Sequence, residues 1–270
     1  MKKYKYAAMG VMLTACVLSG CVLSGCTAIN GTSMEYVDAG KYQVGGAVFE
    51  AAVSEIEVDW IGGNVTIEPS QSGSYEIEET SDKELKDDKK VHYYLDGDKL
   101  RIKYCASGIR LMDTDEKELV IRVPEDSMTD SLEINSVSAD FSVTGIAVGD
   151  IDVSTVSGDI AADVTSVKSF DVESVSGNFG ISSPLAPEDG DYESVSGNLA
   201  LTLPESAGFT VDCDSVSGEI SSEINGKLSD SKFICGSGDA EYDVETVSGN
   251  VKIMPYTTNS YNNSEEETQI

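Results

Sequence analysis

Apolar and polar side chains alternate along most of the second half of this chain, and the alternation changes phase at regular places. Ile151 and Val153, Phe170 and Val172, Phe209 and Val211, and Tyr242 and Val244 each mark one phase. After a short polar cluster the apolar residues resume on the opposite parity: Val156, Ile160 and Ala162; Val175, Phe179 and Ile181; Val216 and Ile220; Val247, Val251 and Ile253. A period of two predicts strands with one buried face. A phase change at the same place each time predicts a corner, where the chain bends so that both strands keep facing inward.

The clusters are near copies of one another: Asn135-Ser-Val-Ser-Ala-Asp, Ser154-Thr-Val-Ser-Gly-Asp, Glu173-Ser-Val-Ser-Gly-Asn, Glu193-Ser-Val-Ser-Gly-Asn, Asp214-Ser-Val-Ser-Gly-Glu and Glu245-Thr-Val-Ser-Gly-Asn. From Ala139 through Gly158, Gly177 and Gly197 to Gly218 the steps are 19, 19, 20 and 21 residues. A degenerate copy, Cys235-Gly-Ser-Gly-Asp, places Gly238 another 20 along, and Gly249 follows 11 later. Gly is expected to supply the backbone angles of the bend, while Ser, Asp and Asn bond locally to turn backbone. Each unit is then strand, corner, strand and loop. One unit cannot bury its own apolar face, so the units must stack. The fold class expected is all-β, a parallel β-solenoid-like stack of about 20-residue strand-corner-strand repeats. Six coils at about 4.8 Å each would stand roughly 29 Å tall. An antiparallel meander or sandwich shares the period of two and is the alternative.

The same template occurs earlier. Ile56-Glu-Val-Asp-Trp-Ile-Gly-Gly-Asn-Val-Thr-Ile aligns with Phe170-Asp-Val-Glu-Ser-Val-Ser-Gly-Asn-Phe-Gly-Ile, and Leu119-Val-Ile-Arg-Val-Pro-Glu echoes Leu199-Ala-Leu-Thr-Leu-Pro-Glu. Pro69, Pro124, Pro204 and Pro255 each follow a second strand, where a residue without an N–H ends a ladder cheaply. The repeat domain is placed at 44–256, with an irregular insertion at 70–117. Inside the insertion His92 to Tyr104 predicts a hairpin around Asp96-Gly-Asp-Lys. Residues 257–270 are polar and unpatterned and predict a disordered tail.

The iterated Ser-Val-Ser-Gly-Asp/Asn corners, the Leu-x-Ile/Leu-x-Val/Leu-Pro strand and the early Gly-Asn-Val-x-Ile resemble the bacterial "putative-adhesin" domain family of unknown function. The resemblance runs from about Val44 to Met254. It implies an all-β repeat fold on secreted, membrane-attached or lipoprotein chains, and it brings no catalytic residues. It also tilts the expectation toward surface display on a Gram-positive cell.

The first residues change the picture from a domain to an anchored one. Lys2, Lys3 and Lys5 precede an apolar run from Ala7 to Leu18, followed by Leu18-Ser19-Gly20-Cys21. That order predicts a secretory signal, and the run is too short for the roughly 18 or more residues that span a bilayer. The small-residue pair before cysteine resembles the lipobox of bacterial lipoproteins, whose cysteine takes a diacylglyceryl group after cleavage just before it. Cys16-Val-Leu-Ser-Gly repeats as Cys21-Val-Leu-Ser-Gly and leads to Cys26, so Cys21 and Cys26 are both candidate lipidation sites. Cys26 would stretch the apolar segment across a Ser-Gly break, which favours Cys21. The signal is then 1–20 (or 1–25), and 21–43 serves as anchor and linker.

Charge narrows the partners. The formal net charge is −30, and removing Lys2, Lys3 and Lys5 with the signal makes it −33. Such a chain repels nucleic acid and anionic lipid, so membrane attachment must come from acyl chains. Two chains hold stably where one does not.

Candidate chemistry is sparse. The residues after each corner, Asp140, Asp159, Asn178, Asn198, Glu219, Asp239 and Asn250, would line one edge of a stack. Rows of carboxylate and amide oxygens suit Ca²⁺, although Gly-Asp and Gly-Asn are also simply good turn dipeptides. The neighbouring serines, Ser138 to Ser248, carry the same two readings. Cys213 and Cys235, 22 residues apart, read equally as a disulfide or as two small buried residues, with Cys105 a lone thiol. His92 is the only histidine, expected to be exposed on its hairpin, so neither a His-based metal cluster nor a repeated nucleophile–base motif is available. These observations predict no enzyme and no cofactor. The function expected is a surface lipoprotein whose β-repeat ectodomain adheres to, binds or scaffolds an envelope polymer, glycan or protein. A carbohydrate-active enzyme on a solenoid and an envelope-stress sensor accessory are the alternatives.

Overall fold

The computed structural model describes residues 27–29, 33–110, 117–229 and 231–257. The lipobox cysteines and the expected tail beyond Thr257 lie outside the described residues. Strands dominate, and the helical pieces among the described residues are two 3-10 turns, Ala39–Lys41 and Asp87–Lys89.

The phase changes are corners. Strands Glu55–Ser70 and Met128–Thr144 run straight through theirs, whereas later coils break in two, as Ser169–Ser174 and Phe179–Ser182 do. Strands before the corner pair in parallel with one another: Ile151 stands opposite Phe170, Phe170 opposite Gly190, and Gly190 opposite Tyr242. Strands after the corner do the same through Ile160, Phe179, Leu199 and Val251. Two parallel sheets therefore meet along the line of corners and close a shared core between them. The parallel register decides for the solenoid-like stack and against the meander.

Burial follows the alternation. Val153, Phe170, Val172, Phe179 and Ile181 are buried, and Asp152 and Asp171 between them are exposed. Core volume is shared between neighbouring coils. Gly190 occupies an inward position where a Cβ would come within 2.2 Å of the Phe170 ring, so Phe170 fills the space a larger residue would need.

Three expectations are corrected. The corner valines do not open the inward row: Val156, Val175 and Val195 are half-buried on the outer side of the bend, and Val216 is 63% exposed. The inward row restarts at Ile160 and its counterparts. Second, the coils do not stack in chain order. Strands Ala240–Thr246 and Val251–Pro255 insert between the coil of Asp189–Ser194 and that of Phe209–Ser215, pairing in parallel with both. The cause is the degenerate copy at Gly238, which is no coil. Lys232–Cys235 instead runs antiparallel to Phe209–Ser215, and Gly236 and Gly238, at φ 55 and 73, turn the chain back. Third, much of the described part of the insertion is paired strand. The hairpin of His92–Asp96 and Lys99–Lys103 forms, and its second strand pairs in parallel beneath Glu55–Asp59. Strand Tyr75–Ser81 and strand Lys117–Pro124 cover the other half of that first coil.

Candidate binding faces

The polar and small residues of the corner motif either close the corner or hold one coil to the next. The opening Ser or Thr accepts the N–H of the residue three ahead: Gly158 donates to Thr155 at 3.3 Å, Gly177 to Ser174 at 2.8 Å, and Gly197 to Ser194 at 2.7 Å. The middle Ser donates its hydroxyl to a valine carbonyl one coil back, as Ser157 does to Val137 at 3.2 Å and Ser176 to Val156 at 3.2 Å. The Gly leaves room for that approach. A Cβ on Gly177 would sit 2.1 Å from the carbonyl oxygen of Gly158, and one on Gly197 would sit 2.0 Å from that of Gly177. These glycines are not at positive φ, so the reason for glycine is close approach and not an unusual backbone angle. Ala139, the exception among the corners, stands over Gly63, whose φ is +89.

The Asp/Asn edge is a hydrogen-bonded ladder. Asp140 Oδ1 accepts the N–H of Asp159 at 2.8 Å, Asp159 that of Asn178 at 2.9 Å, and Asn178 that of Asn198 at 3.0 Å. It continues through Asn250 to Glu219, in spatial rather than chain order. Asp239 is not on it; it accepts from Ser237 within the turn. In the structure this edge fastens coils. Among the described residues no group of three or more His, Cys, Asp or Glu is placed to hold a metal ion.

Among the described residues Cys105, Cys213 and Cys235 are free and buried. Cys235 stands opposite Phe209, four residues from Cys213 along the strand, which is about 13 Å and too far for a disulfide. The reading of two small buried residues is the one the structure takes. Burial pushes the Cys105 and Cys213 thiols up to about 11, where they stay protonated and unreactive. His92 is buried rather than exposed, with Nδ1 2.9 Å from the Lys90 carbonyl oxygen.

Two features escaped the sequence reading. One is a buried ion network under the first coil. Lys103 Nζ bonds both Glu57 and Asp59, all three being at most 1% exposed. Lys99 reaches Glu57 and Glu133 at 3.0 Å each, Arg101 reaches Glu57 at 2.9 Å, and Asn135 donates to Asp59 at 2.9 Å. Close by, Lys117 donates to Glu79 at 2.7 Å and lies 3.8 Å from the Tyr104 ring centre, a buried cation held by a carboxylate and a ring face.

The other is the outer face of the pre-corner sheet. Register places Glu133, Asp152, Asp171, Asp191, Asp243 and Asp212 in one row across six strands. Glu173, Glu193, Glu245 and Asp214 form a second row. Adjacent members stand about 4.8 Å apart, where like charges oppose each other. Cations meet the first row only at its ends among the described residues, Lys99 on Glu133 and Lys232 on Asp212 at 3.4 Å. Although Asp152 and Asp171 stand on the outer face, the crowded sheet around the row partly desolvates it. That desolvation first, and then neighbouring carboxylates, raise the acid groups of Asp152, Asp191 and Glu193, while desolvation alone raises that of Asp171.

A pH optimum follows with a definite sign. Raised carboxyls bind protons more readily in the fold than in the unfolded chain, so falling pH stabilises the fold until the unfolded values near 4 are reached. Glu57 behaves oppositely. Burial pushes its carboxyl up, but Lys103 and Lys99 hold it, on balance, below the usual range. Its contribution is present above the unfolded value and lost as pH falls through the folded one. The melting temperature is therefore expected to rise from pH 7 to about 5 and to drop below about pH 4. A steady fall from pH 7 to 5 in thermal melts would contradict the acid rows.

A protein-family model described as Toastrack DUF4097 matches residues 53–186 and 164–254. No curated protein matches the chain. Among solved structures, a "putative cell adhesion protein" from Clostridium sporogenes is 11% identical, with 79% of this chain and 100% of that one covered at a TM-score of 0.44. A "putative adhesin" from Bacteroides fragilis is 11% identical, covering 78% of this chain and 96% of its own at 0.39. A third, from Parabacteroides distasonis, is 14% identical, with coverages of 79% and 98% at 0.30.

Proposed function

This chain belongs to the Toastrack DUF4097 family, and we propose that it is a lipid-anchored, extracytoplasmic protein whose β-solenoid-like ectodomain binds or scaffolds and does not catalyse. The observation that carries the reading is the use to which the corner residues are put. The Ser, Gly and Asp or Asn residues of the repeat corners that could have looked catalytic are engaged in closing the corners or joining one coil to the next. Cys105, Cys213 and Cys235 are buried, with raised thiols, and the one imidazole is buried with a ring nitrogen at a backbone carbonyl. What such a stack offers a partner is area, two broad outer sheet faces, which suits adhesion to an envelope polymer, a glycan or another protein. The tandem Leu-Ser-Gly-Cys at Cys21 and Cys26 supports attachment through a diacylglyceryl cysteine, with display at the surface if the cell is Gram-positive.

Glycan-array binding paired with a release assay on the same glycans tests the reading. Retention without product release is the expected outcome, on a protein whose mature N-terminus is a lipidated Cys21 or Cys26 by mass spectrometry. Turnover of any glycan that one Asp or Glu substitution abolishes would replace the binding protein with an enzyme.

A further inference from the structure

The stack has an open end. In space its last coil is Phe209–Ser215 and Ile220–Ser222, not the last coil in sequence. The pre-corner half of that coil is covered by Lys232–Cys235. Among the described residues the post-corner half, Ile220–Ser222, pairs on one side only, with Val251–Pro255.

The backbone directions on this edge are set by printed neighbours. Val251 donates to the Glu219 carbonyl at 2.9 Å, and Glu223 donates to the Ile253 carbonyl at 2.9 Å. Glu219 and Glu223 thus face the covered side, as does Ser221 by alternation, and the N–H and C=O groups of Ile220 and Ser222 face outward. In other coils the corresponding groups are filled: Ile160 donates to Asn178 and Phe179 to Asn198, both at 2.9 Å. The corner repeats the same asymmetry. The carbonyls of Val137, Val156, Val175, Val195 and Val247 each accept a serine N–H from the next coil at 2.9–3.0 Å. Val216 is the sixth of that column, and among the described residues nothing occupies its carbonyl. Its side chain is 63% exposed, and Leu228 nearby on the same end is 55% exposed.

We infer that this edge takes an extended segment of a partner protein that carries Lys or Arg beside its apolar residues. Alternating outward donors and acceptors on Ile220 and Ser222 fit a strand added to the sheet. Charge then selects among strands. On the covered side the neighbouring strand brings Lys252 to Glu223 at 3.0 Å, which shows the kind of residue this coil accepts beside it. A second copy, paired antiparallel about Ser221, would set Glu219 against Glu223 and join two chains of formal charge −30. The chain's own C-terminal residues carry Glu265, Glu266 and Glu267 and match no better. The inference needs only the open edge and stands whether or not the outer faces bind a polymer.

The probe is a fluorescein-labelled peptide of residues 246–254, Thr-Val-Ser-Gly-Asn-Val-Lys-Ile-Met, whose sequence already forms the coil beneath this one. Its binding to the full chain is read by anisotropy. Saturable binding is expected, weakened about tenfold by Lys252→Glu in the peptide and by Val216→Asp in the protein. Ser222→Pro in the protein should abolish it, because that N–H faces outward and its loss leaves the pairing with Val251–Pro255 intact. An unchanged melting temperature checks that the variant folds, and Val216→Asp, on an exposed side chain, carries the test if it does not. Absence of saturable binding, or binding indifferent to both protein variants, would overturn the inference. So would concentration-dependent self-association in sedimentation that Ser222→Pro removes, since a second copy would then own the edge.

Discussion

Lys103→Met should destabilise the folded protein by about 3–5 kcal/mol, the cost of leaving buried charge without its partner. Lys103 Nζ is the group that Glu57 and Asp59 share, and neither carboxylate is more than 1% exposed. With the ammonium gone, Glu57 keeps Lys99 and Arg101, while Asp59 loses the ammonium it shares and keeps the Asn135 amide. A buried carboxylate that loses its ammonium partner costs stability. For a domain of this size the loss corresponds to a melting temperature lower by roughly 6–20 °C. Combining Lys103→Met with Asp59→Leu and Glu57→Leu should recover most of it, because a matched apolar set avoids desolvating charge. Urea denaturation of the single and triple variants reads both effects. A single variant as stable as the parent would mean that the network does not hold the first coil to the strand beneath it.

That network could not be read from the alternation. Glu57 and Asp59 sit on the outward parity of the first coil, and Lys103 lies in a hairpin strand with the same look, so each reads as a solvated position. They are buried because Lys99–Lys103 pairs beside Glu55–Asp59 and the Tyr36 and Tyr42 region packs nearby, a long-range arrangement that periodicity does not encode. Burial first, and then the Glu57 carboxylate, raise the Tyr42 hydroxyl.

The acid row was available and went unread. Ile151-Asp-Val, Phe170-Asp-Val, Gly190-Asp-Tyr, Val211-Asp-Cys and Tyr242-Asp-Val put an aspartate at the same offset before five corners, and Leu132-Glu-Ile puts Glu133 there before the sixth. The swapped order of the last two coils is a different case. Each coil offers its neighbours the same ladder of N–H, C=O and Asx groups, so local pattern is blind to which coil lies next. Only the 11-residue step from Gly238 to Gly249, too short for a full coil, hinted that the count had slipped. The corners themselves were legible because phase change, small residue and local hydrogen-bonding residue coincide at each one. Their glycines were assigned the wrong cause, since sequence does not distinguish a glycine needed for its φ from one needed for its missing Cβ.

That distinction makes a prediction at Gly177. If close approach is the reason, the first added carbon already does the damage, and Gly177→Ala should cost about 1–3 kcal/mol, or roughly 2–12 °C in melting temperature. The added Cβ would lie 2.1 Å from the Gly158 carbonyl oxygen, 3.1 Å from its carbon and 3.2 Å from Ser174 Oγ. Two of these three atoms are backbone and cannot swing aside, so the two corners must separate. Separation stretches the Ser176 to Val156 bonds, 2.9 Å from the N–H and 3.2 Å from the hydroxyl, which tie the same coils together. Gly180, three residues on, is the internal control. A Cβ there meets only the Ala200 methyl at 3.9 Å, an ordinary contact, and its φ is not positive. Gly180→Ala should therefore be neutral or stabilise by about 0.4–1 kcal/mol through the unfolded chain. Equal melting temperatures for the two variants would mean that the corners stack less closely than drawn, and that the repeat keeps its glycines for some reason other than the carbonyl beneath them.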